Sequence, residues 1–150
     1  MKTYRLLLST GLVFALMVGA AGLGCQKKQP VASGDVQVED ISLEMIPFDF
    51  DKYNIKRNYR TVLERHANWL KENSSVNVII EGNTDEWGTE EYNLALGERR
   101  ATSAKKYLVN LGVSPDRLST ISYGETRPID SAHNPKAWAM NRRDEFKGRK

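Results

Sequence analysis

Two residues of opposite charge, Asp85 and Arg100, offer the clearest binding chemistry in this sequence. Asp85 lies in the polar segment EGNTDEWG, residues 81–88, which follows a β-rich run and precedes a predicted helix containing Arg100. An α-helix rises about 1.5 Å per residue, so Arg100 lies roughly three turns into that helix. A long helical side chain can point back toward the helix N-terminus, where the Asp85 segment ends. The spacing therefore predicts that an acid and an arginine flank one small cleft.

Such a pair suits a zwitterionic ligand. Asp85 would accept a hydrogen bond from an ammonium group, and Arg100 would hold a carboxylate through two parallel hydrogen bonds. From the spacing alone, an equally good interpretation is that the two side chains pair with each other or cap the loop.

The sequence offers little that could support catalysis. It has no G-x-S-x-G motif, its one cysteine is Cys25, and no spacing of ligands resembles a metal site. His66 lies on the apolar face of a predicted helix, where we expect a hydrogen-bonded, partly buried side chain, and His133 lies in a predicted loop. We therefore predict that the chain is not an enzyme and that it holds no metal.

One hydrolytic alternative is open. Glu81, Asp85 and Glu86 could in principle supply two carboxylates for hydrolysis. We favour a polar loop after a strand, because no activated nucleophile accompanies these acids.

Residues 1–24 have the pattern of a secretory signal peptide, with a basic start, an apolar run and small residues before Cys25. An uncleaved transmembrane anchor is the alternative, because the run is near the length of about 20 residues that spans a bilayer. The glycines and alanines at its end favour cleavage.

Cys25 cannot form an internal disulfide, since it is the single cysteine. It resembles a lipoprotein processing site, in which the thiol carries diacylglycerol, although Gly22 stands where such sites usually have leucine. Gln26 favours the outer membrane, because an aspartate there would indicate inner-membrane retention. We expect a covalent lipid on Cys25 and no other cofactor; an unmodified thiol is the alternative.

The charge of the chain does not indicate a nucleic-acid partner. The net charge is +3, and the two charged residues before Cys25 are both basic, so the mature chain would carry about +1. The basic C-terminal segment RRDEFKGRK is interpreted as a solvated tail. Residues 25–42 are predicted to form a lipidated cysteine and flexible tether, and residues 43–150 a folded domain.

The remaining sequence predicts alternating strands and helices. Strands are predicted at 43–50, 76–81, 117–123 and 143–147, and helices at 55–72, 89–112 and 135–142. Pro47 indicates an edge strand or a bulge. The fold class is therefore α+β, an α/β sandwich with the order β-α-β-α-β-(α-β) and helices packed on one face of a mixed sheet.

The helix ends carry recognisable signals. Asn54, Thr89 and Asn134 are predicted N-caps, and Gly112 is predicted to stop the second helix. The predicted buried stripe of the first helix is Ile55, Tyr59, Val62, Leu63, His66 and Leu70, and that of the second is Tyr92, Leu96, Ala101, Ala104, Leu108 and Leu111.

Several segments together resemble one known family. They are FDFDKYNI (48–55), HANWL (66–70), EGNTDEWGTEEYN (81–93), LGERRA (96–101), SYGETRP (122–128) and NRR (141–143). In this order they resemble the peptidoglycan-associated lipoproteins of the Tol–Pal system, which carry an OmpA-like C-terminal domain. The resemblance covers about residues 43–143.

The resemblance implies non-covalent binding to the meso-diaminopimelate of the peptidoglycan stem peptide. The family's key aspartate and arginine fall on Asp85 and Arg100, and Phe50 and Asp51 would line the pocket. Asn83, Thr84 and Asn93 would order the loop, or would simply cap the loop and the helix. Arg99 and Arg142 are assigned to no ligand and are expected to be surface or core-edge charges.

The resemblance also implies a location and partners. The protein would be lipid-anchored in the outer membrane with its domain in the periplasm, and would act with a TolB-like protein and other Tol components in envelope integrity and cell division. The alternative is an envelope lipoprotein that acts mainly as a protein-interaction module, with a weak or lost peptidoglycan site.

Two departures from the family pattern are visible. Trp87 stands where the family usually has arginine; it would stack on the ligand or cover the loop, and we favour covering. Phe146 is the clearly apolar residue of the C-terminal segment, so we expect the last strand to be short or frayed at a sheet edge.

Overall fold

Four β-strands and three α-helices alternate along residues 41–150, which are the residues that the computed structural model describes. The strands are β1 (Ile41–Pro47), β2 (Asn77–Asn83), β3 (Leu118–Gly124) and β4 (Arg143–Arg149); the helices are α1 (Arg60–Glu72), α2 (Glu90–Asn110) and α3 (Pro135–Asn141). The predicted signal peptide, Cys25 and the tether up to residue 40 lie outside this range. None of the helices in this range is both long and apolar enough to cross a membrane.

The strands form one mixed sheet in the order β1-β4-β2-β3. The pair β2–β3 is parallel, and β4 is antiparallel to both β1 and β2. The predicted α+β class with a mixed sheet is therefore confirmed. β1 begins at Ile41, two residues inside the predicted tether, and lies at the edge of the sheet with a register shift between Leu43 and Ile46, as the proline at its end indicated.

The prediction that the last strand is frayed at an edge is wrong. β4 has seven residues and lies between β1 and β2, with Phe146 completely buried. Gly148 is also buried there. It is packed so closely that a Cβ atom at this position would lie 3.1 Å from both Ile41 and Val76. Arg143 and Asp144 are buried too, so the charges that suggested an exposed segment belong to a central strand.

The start of the first helix also differs from its prediction. A short 3-10 turn, Arg57–Tyr59, precedes α1, and Tyr59 occupies the N-cap position without a side-chain capping bond. Asn54 is therefore not the cap. Ile55 still packs against the core, but from the segment that leads into the helix.

The other two caps are confirmed. Thr89 Oγ1 accepts a hydrogen bond from Tyr92 N at 3.2 Å, and two glutamates follow in the first turn of α2. Asn134 accepts from the backbone N–H groups of Lys136 and Ala137 at the start of α3, each at 3.0 Å.

The apolar core lies between α1, the C-terminal half of α2 and the sheet, and its fully buried members include Leu63, Leu70, Ile80, Leu108 and Phe146. The predicted stripe of α2 is correct for Leu96, Ala101, Ala104 and Leu108. It is wrong for Tyr92, which is 44% exposed. In the N-terminal half of α2 the buried face instead carries the polar residues Asn93 and Arg100.

Two glycines bring α2 onto the sheet at close range. A Cβ atom on Gly82 would lie 2.0 Å from the carbonyl oxygen of Gly97, and one on Gly97 would lie 2.2 Å from Ser122 Oγ. The backbones of β2 and α2 therefore touch next to residues 84–89, the loop that joins them.

Candidate functional site

The candidate site forms where the parallel strands β2 and β3 end. Carboxyl ends of parallel strands meet at the same sheet edge, which is a common place for ligand sites. Asp85 follows β2 by two residues, and the backbone N–H of Thr84 donates to the carbonyl of Gly124 at 2.8 Å. This bond holds the Asp85 loop against the end of β3.

Two neighbouring pockets open at this edge, and they share Phe50, Asp85 and Trp87. The first, of about 280 Å³, is completed by Asp51, Gly88, Tyr92 and Leu96. The second, of about 400 Å³, is completed by Pro135, Trp138 and Arg142. Asp85 is 3% exposed, so a largely buried carboxylate lies where the two pockets meet.

The cation that pairs with Asp85 is Arg142. Arg142 Nη1 lies 2.8 Å from Asp85 Oδ2, and Arg142 Nε donates to the carbonyl of Phe48 at 3.3 Å. The expectation of a core-edge charge describes its burial correctly, since 16% of the side chain is exposed. Its pairing with Asp85 was not foreseen.

Arg100 is completely buried behind the pockets. Its guanidinium donates to the carbonyls of Lys52 and Asn83, each at 2.8 Å, and of Asp49 at 3.2 Å, and its Cζ lies 5.1 Å from the centre of the Phe48 ring. The prediction of an open cleft between Asp85 and Arg100 is therefore wrong, because residues 49–52 cover the arginine. The alternative of a direct ion pair between them is also wrong, because Asp85 pairs with Arg142, but Arg100 does cap backbone carbonyls beside the loop.

The buried charges around Arg100 still influence one another. Burial lowers the pKa of Arg100 to about 10, and the nearby carboxyl groups of Asp144 and Asp85 oppose that shift. Asp144 is completely buried, and burial raises the pKa of its carboxyl well above the usual value while Arg100 opposes the rise. A polar cluster thus lies directly behind the pocket floor. A direct contact between Arg100 and a ligand stays a prediction.

The structure places Phe50 and Asp51 at the pockets, as the resemblance implied. Phe50 is 59% exposed and lines both pockets, and Asp51 lines the first. Asp51 has φ 55°, a left-handed conformation that aspartate tolerates better than most residues. Tyr92 Oη donates to its carboxylate, and this bond raises the pKa of Tyr92.

Asn83 and Asn93 lie behind the loop and Thr84 is its first residue, and each of the three is no more than 2% exposed. Each has one oxygen without a hydrogen-bond partner in the described part of the chain, namely Asn83 Oδ1, Thr84 Oγ1 and Asn93 Oδ1. Asn83 Nδ2 donates to the carbonyl of Glu81 at 3.0 Å, and Asn93 Nδ2 donates to the carboxylate of Glu125. A ligand role for the three residues stays a prediction.

An aromatic pair borders the second pocket. Trp87 is 53% exposed and packs edge-to-face on Trp138 at 5.2 Å between ring centres. Sequence reasoning missed Trp138. The available signal was its spacing of four residues from Arg142, which puts the two side chains on one helix face. Trp138 Nε1 donates to Glu86 at 2.6 Å, and this bond is the largest of the effects that lower the pKa of Glu86.

His66 differs from its prediction. It is 4% exposed, as expected for the apolar face of α1, but neither ring nitrogen has a hydrogen-bond partner within residues 41–150. Its ring contacts Phe146 edge-on at 4.8 Å, and burial lowers its pKa to about 4. Over the same residues, no group of three or more His, Cys, Asp or Glu side chains is arranged to hold a metal ion.

Comparison with known proteins identifies the family. Residues 47–142 match the model of the OmpA family. A peptidoglycan-associated lipoprotein of Pasteurella multocida is 42% identical over 147 residues, which cover 95% of each chain, and one of Haemophilus influenzae is 40% identical over 150 residues, with the same coverage.

Solved structures agree with the sequence relatives. The crystal structure of the peptidoglycan-associated lipoprotein from Burkholderia pseudomallei superposes with a TM-score of 0.68 at 39% identity, covering 69% of this chain and 88% of that one. The C-terminal domain of Helicobacter pylori MotB superposes with a TM-score of 0.65 at 26% identity, covering 69% and 82%. With its matching fold and sequence, the chain belongs to the OmpA family and is a relative of the peptidoglycan-associated lipoproteins.

Proposed function

We propose that this chain is an outer-membrane lipoprotein that binds peptidoglycan non-covalently through the diaminopimelate of the stem peptide. The observation that carries the proposal is the Asp85–Arg142 ion pair at the junction of two open pockets. The relatives that match over nearly the whole chain are named for their association with peptidoglycan.

The free end of diaminopimelate is a zwitterion, and the site offers one partner for each charge. Its ammonium group would bind the carboxylate of Asp85, and its carboxylate would bind the guanidinium of Arg142. The ligand would thereby replace one ion pair by two, so that neither buried charge loses its partner. Phe50 and Trp87, which line both pockets, would cover the methylene groups between the two ends of the ligand.

Arg100 would act from behind this site. Three of the five N–H groups of its guanidinium hold backbone carbonyls, two of which belong to the segment that carries Phe50 and Asp51. Arg100 therefore orders the pocket wall. It would reach the ligand carboxylate itself only if residues 49–52 moved away from it.

Pull-down of the protein with purified sacculi tests the proposal. Asp85→Ala should abolish binding, because the ammonium group loses its buried acceptor, and the circular dichroism spectrum should stay that of a folded domain. Asp116→Ala is a matched control, since Asp116 is exposed in the 3-10 turn before β3 and should leave binding unchanged. Undiminished binding by Asp85→Ala would contradict the proposal.

A comparison of two stem peptides tests the ligand chemistry. A peptide with lysine in place of diaminopimelate lacks the second carboxylate, so it should bind about 10- to 100-fold more weakly, because a buried cation then stays unpaired. Calorimetric titration of both peptides measures the ratio. Equal affinities would show that the site does not recognise the carboxylate.

The anchor and the partners are parts of the same proposal. Cys25 would carry the lipid, and mass spectrometry of the mature N-terminus would detect its acyl mass. Stable anchoring takes more than one acyl chain, since each buried CH₂ contributes about 0.8 kcal/mol. A TolB-like periplasmic protein and other Tol components would connect the protein to envelope constriction during division.

A protein-interaction module is the second candidate function. The exposed Trp87, packed on Trp138 beside the pockets, favours it, because aromatic residues are enriched at protein interfaces. Tight binding to a TolB-like partner together with no binding to sacculi would establish this alternative. We propose no catalytic activity, and incubation with peptidoglycan should release no soluble muropeptides.

A further inference from the structure

A third pocket, of about 280 Å³, adjoins the second and shares Trp138 with it. Thr84 and Glu86 line this third pocket, whereas Asp85 between them lines the other two. The Asp85 loop therefore contributes alternate residues to different pockets.

The third pocket is acidic. Glu86, Glu125 and Asp130 line it, and no lysine or arginine does. Each carboxylate is fixed by a donor of the protein: Glu86 by Trp138 and His133, Glu125 by the amide of Asn93, and Asp130 by the backbone N–H of Ala132. The pocket thus presents a fixed set of hydrogen-bond acceptors.

Thr84 gives this pocket an unsatisfied polar group. Its side chain is almost completely buried at 2% exposure, and Oγ1 has no hydrogen-bond partner in residues 41–150. A buried hydroxyl without a partner destabilises a fold by about 1–3 kcal/mol. Thr84 lines the pocket, so a ligand there would supply the missing bond after a small movement of the atoms that cover Oγ1.

We infer that this third pocket binds a neutral sugar of the glycan strand, next to the stem peptide in the Asp85 pockets. The inference rests on the proposed function. Sugar hydroxyls are the donors that three fixed carboxylates and a threonine hydroxyl require, and the Trp138 ring offers an apolar surface to the sugar carbons. The glycan carries no negative charge once the lactyl carboxylate of muramic acid is joined to the peptide, so the acidic pocket does not repel it.

Two probes separate the sugar pocket from the peptide site. One is a diaminopimelate-containing tripeptide with an acetylated N-terminus, and the other is the same tripeptide joined through its N-terminus to the N-acetylglucosamine–N-acetylmuramic acid disaccharide. The wild-type protein should bind the glycopeptide about tenfold more tightly, the equivalent of about one hydrogen bond to a charged group. Calorimetric titration measures both affinities.

Substitutions in the acidic pocket should remove this difference alone. Glu125→Gln and Asp130→Asn should bind the glycopeptide no more tightly than the peptide, while their affinity for the peptide is unchanged. Glu64→Gln is the matched control, because Glu64 is exposed on α1 and lines none of the three pockets, and it should keep the tenfold difference. Thr84→Val should also lose the difference, and Thr84→Ser should keep it.

The possible results distinguish this inference from the proposed function. Equal affinity of the wild-type protein for both probes, or a difference that survives in Glu125→Gln and Asp130→Asn, overturns the sugar pocket and leaves the peptide site standing. If neither probe binds, the proposed function fails. A nuclear magnetic resonance titration with the disaccharide whose lactyl carboxyl group is capped as its methylamide, and is therefore uncharged, then decides: shifts at Glu125, His133 and the Trp138 indole support the pocket, and their absence overturns it.

Discussion

The two halves of α2 bury different sets of side chains, although apolar Leu96 is buried in the N-terminal half as well. The C-terminal half places Ala101, Ala104 and Leu108 in the apolar core. The N-terminal half buries Asn93 and Arg100 just as completely, at 0% exposure, behind the pockets. One helix therefore serves as core at one end and as the support of a binding site at the other.

The difference shows where this domain retains buried polar groups that folding alone does not require. Buried polar atoms are normally hydrogen-bonded, and the apolar half largely follows that rule. In and around the N-terminal half of α2, oxygens of Asn83, Thr84, Asn93 and Asp144 have no partners in the described residues. Such departures concentrate at functional sites, where binding requires groups that folding alone would not retain.

The largest expected effect on stability is that of Arg100→Ala. The substitution removes the cation that holds three backbone carbonyls and leaves the wall of the pocket unsupported, so the free energy of unfolding should fall by about 3–5 kcal/mol. Urea denaturation measures the change. Arg99→Ala is the control: the neighbouring Arg99 is exposed and lies over Tyr53 and Tyr92, so its loss should amount to less than about 1 kcal/mol. Equal losses would remove the distinction between the two arginines.

Leu108→Ala tests whether the C-terminal half of α2 contributes to stability without contributing to binding. Leu108 is completely buried, and its truncation should lower the free energy of unfolding by about 2–5 kcal/mol through lost burial and the cavity that remains. Sacculus binding, measured at a temperature where the variant is folded, should be unchanged. Weakened binding under those conditions would mean that the two halves are not independent.

His66 on α1 is a polar exception on the apolar side of the domain, and its burial predicts a pH dependence of stability. Its pKa is about 4 in the folded domain, against 6.5 ordinarily, so between these values the unfolded chain binds the extra proton. Stability should therefore fall as the pH drops from about 6.5 to 4, by about 3 kcal/mol from this group. Buried Asp144, with its raised pKa, acts in the opposite direction, so the test is the difference from His66→Leu, measured by urea denaturation at pH 7 and pH 4.5. The same pH dependence in both proteins would exclude His66 as its cause.

The smallest expected effect on stability is a gain rather than a loss. Thr84→Val replaces an unpartnered buried hydroxyl by a methyl group of similar size, so it should stabilise the domain by up to about 1 kcal/mol in thermal unfolding. Thr126→Val is the control, because the Thr126 hydroxyl donates to the carbonyl of Tyr123 at 2.7 Å and its loss should be slightly destabilising. A destabilised Thr84→Val would indicate that its hydroxyl has a partner after all.

Local signals predicted much of this fold. Apolar periodicity located the helices and strands within a few residues, and the caps at Thr89 and Asn134 are correct because capping depends on neighbours in the chain. The position of β4 was not predictable in this way, since strand order depends on long-range pairing. Its buried Arg143 and Asp144 also resemble the side chains of an exposed segment.

The sequence predicted which residues lie at the candidate pockets but not the partner of Asp85, and the binding roles of these residues stay predictions. The loop of Asp85 and the neighbouring Phe50 follow from sequence motifs, and the structure brings them to the same pockets. The partner of Asp85 was missed because Arg142 lies 57 positions away along the chain and no spacing rule connects them. Arg100 was placed near the right loop, but its burial depends on residues 49–52, whose path no periodicity describes.

The central position of β4 has a consequence for how the domain folds after export. β1 and β2 do not pair with each other, because the strand between them is the last of the four in chain order. A chain whose residues 143–149 have not yet crossed the inner membrane can form the β2–β3 pair, but it lacks the strand that joins β1 to the sheet. The sheet should therefore close in one late step, and the slow element of folding should be the insertion of this final strand.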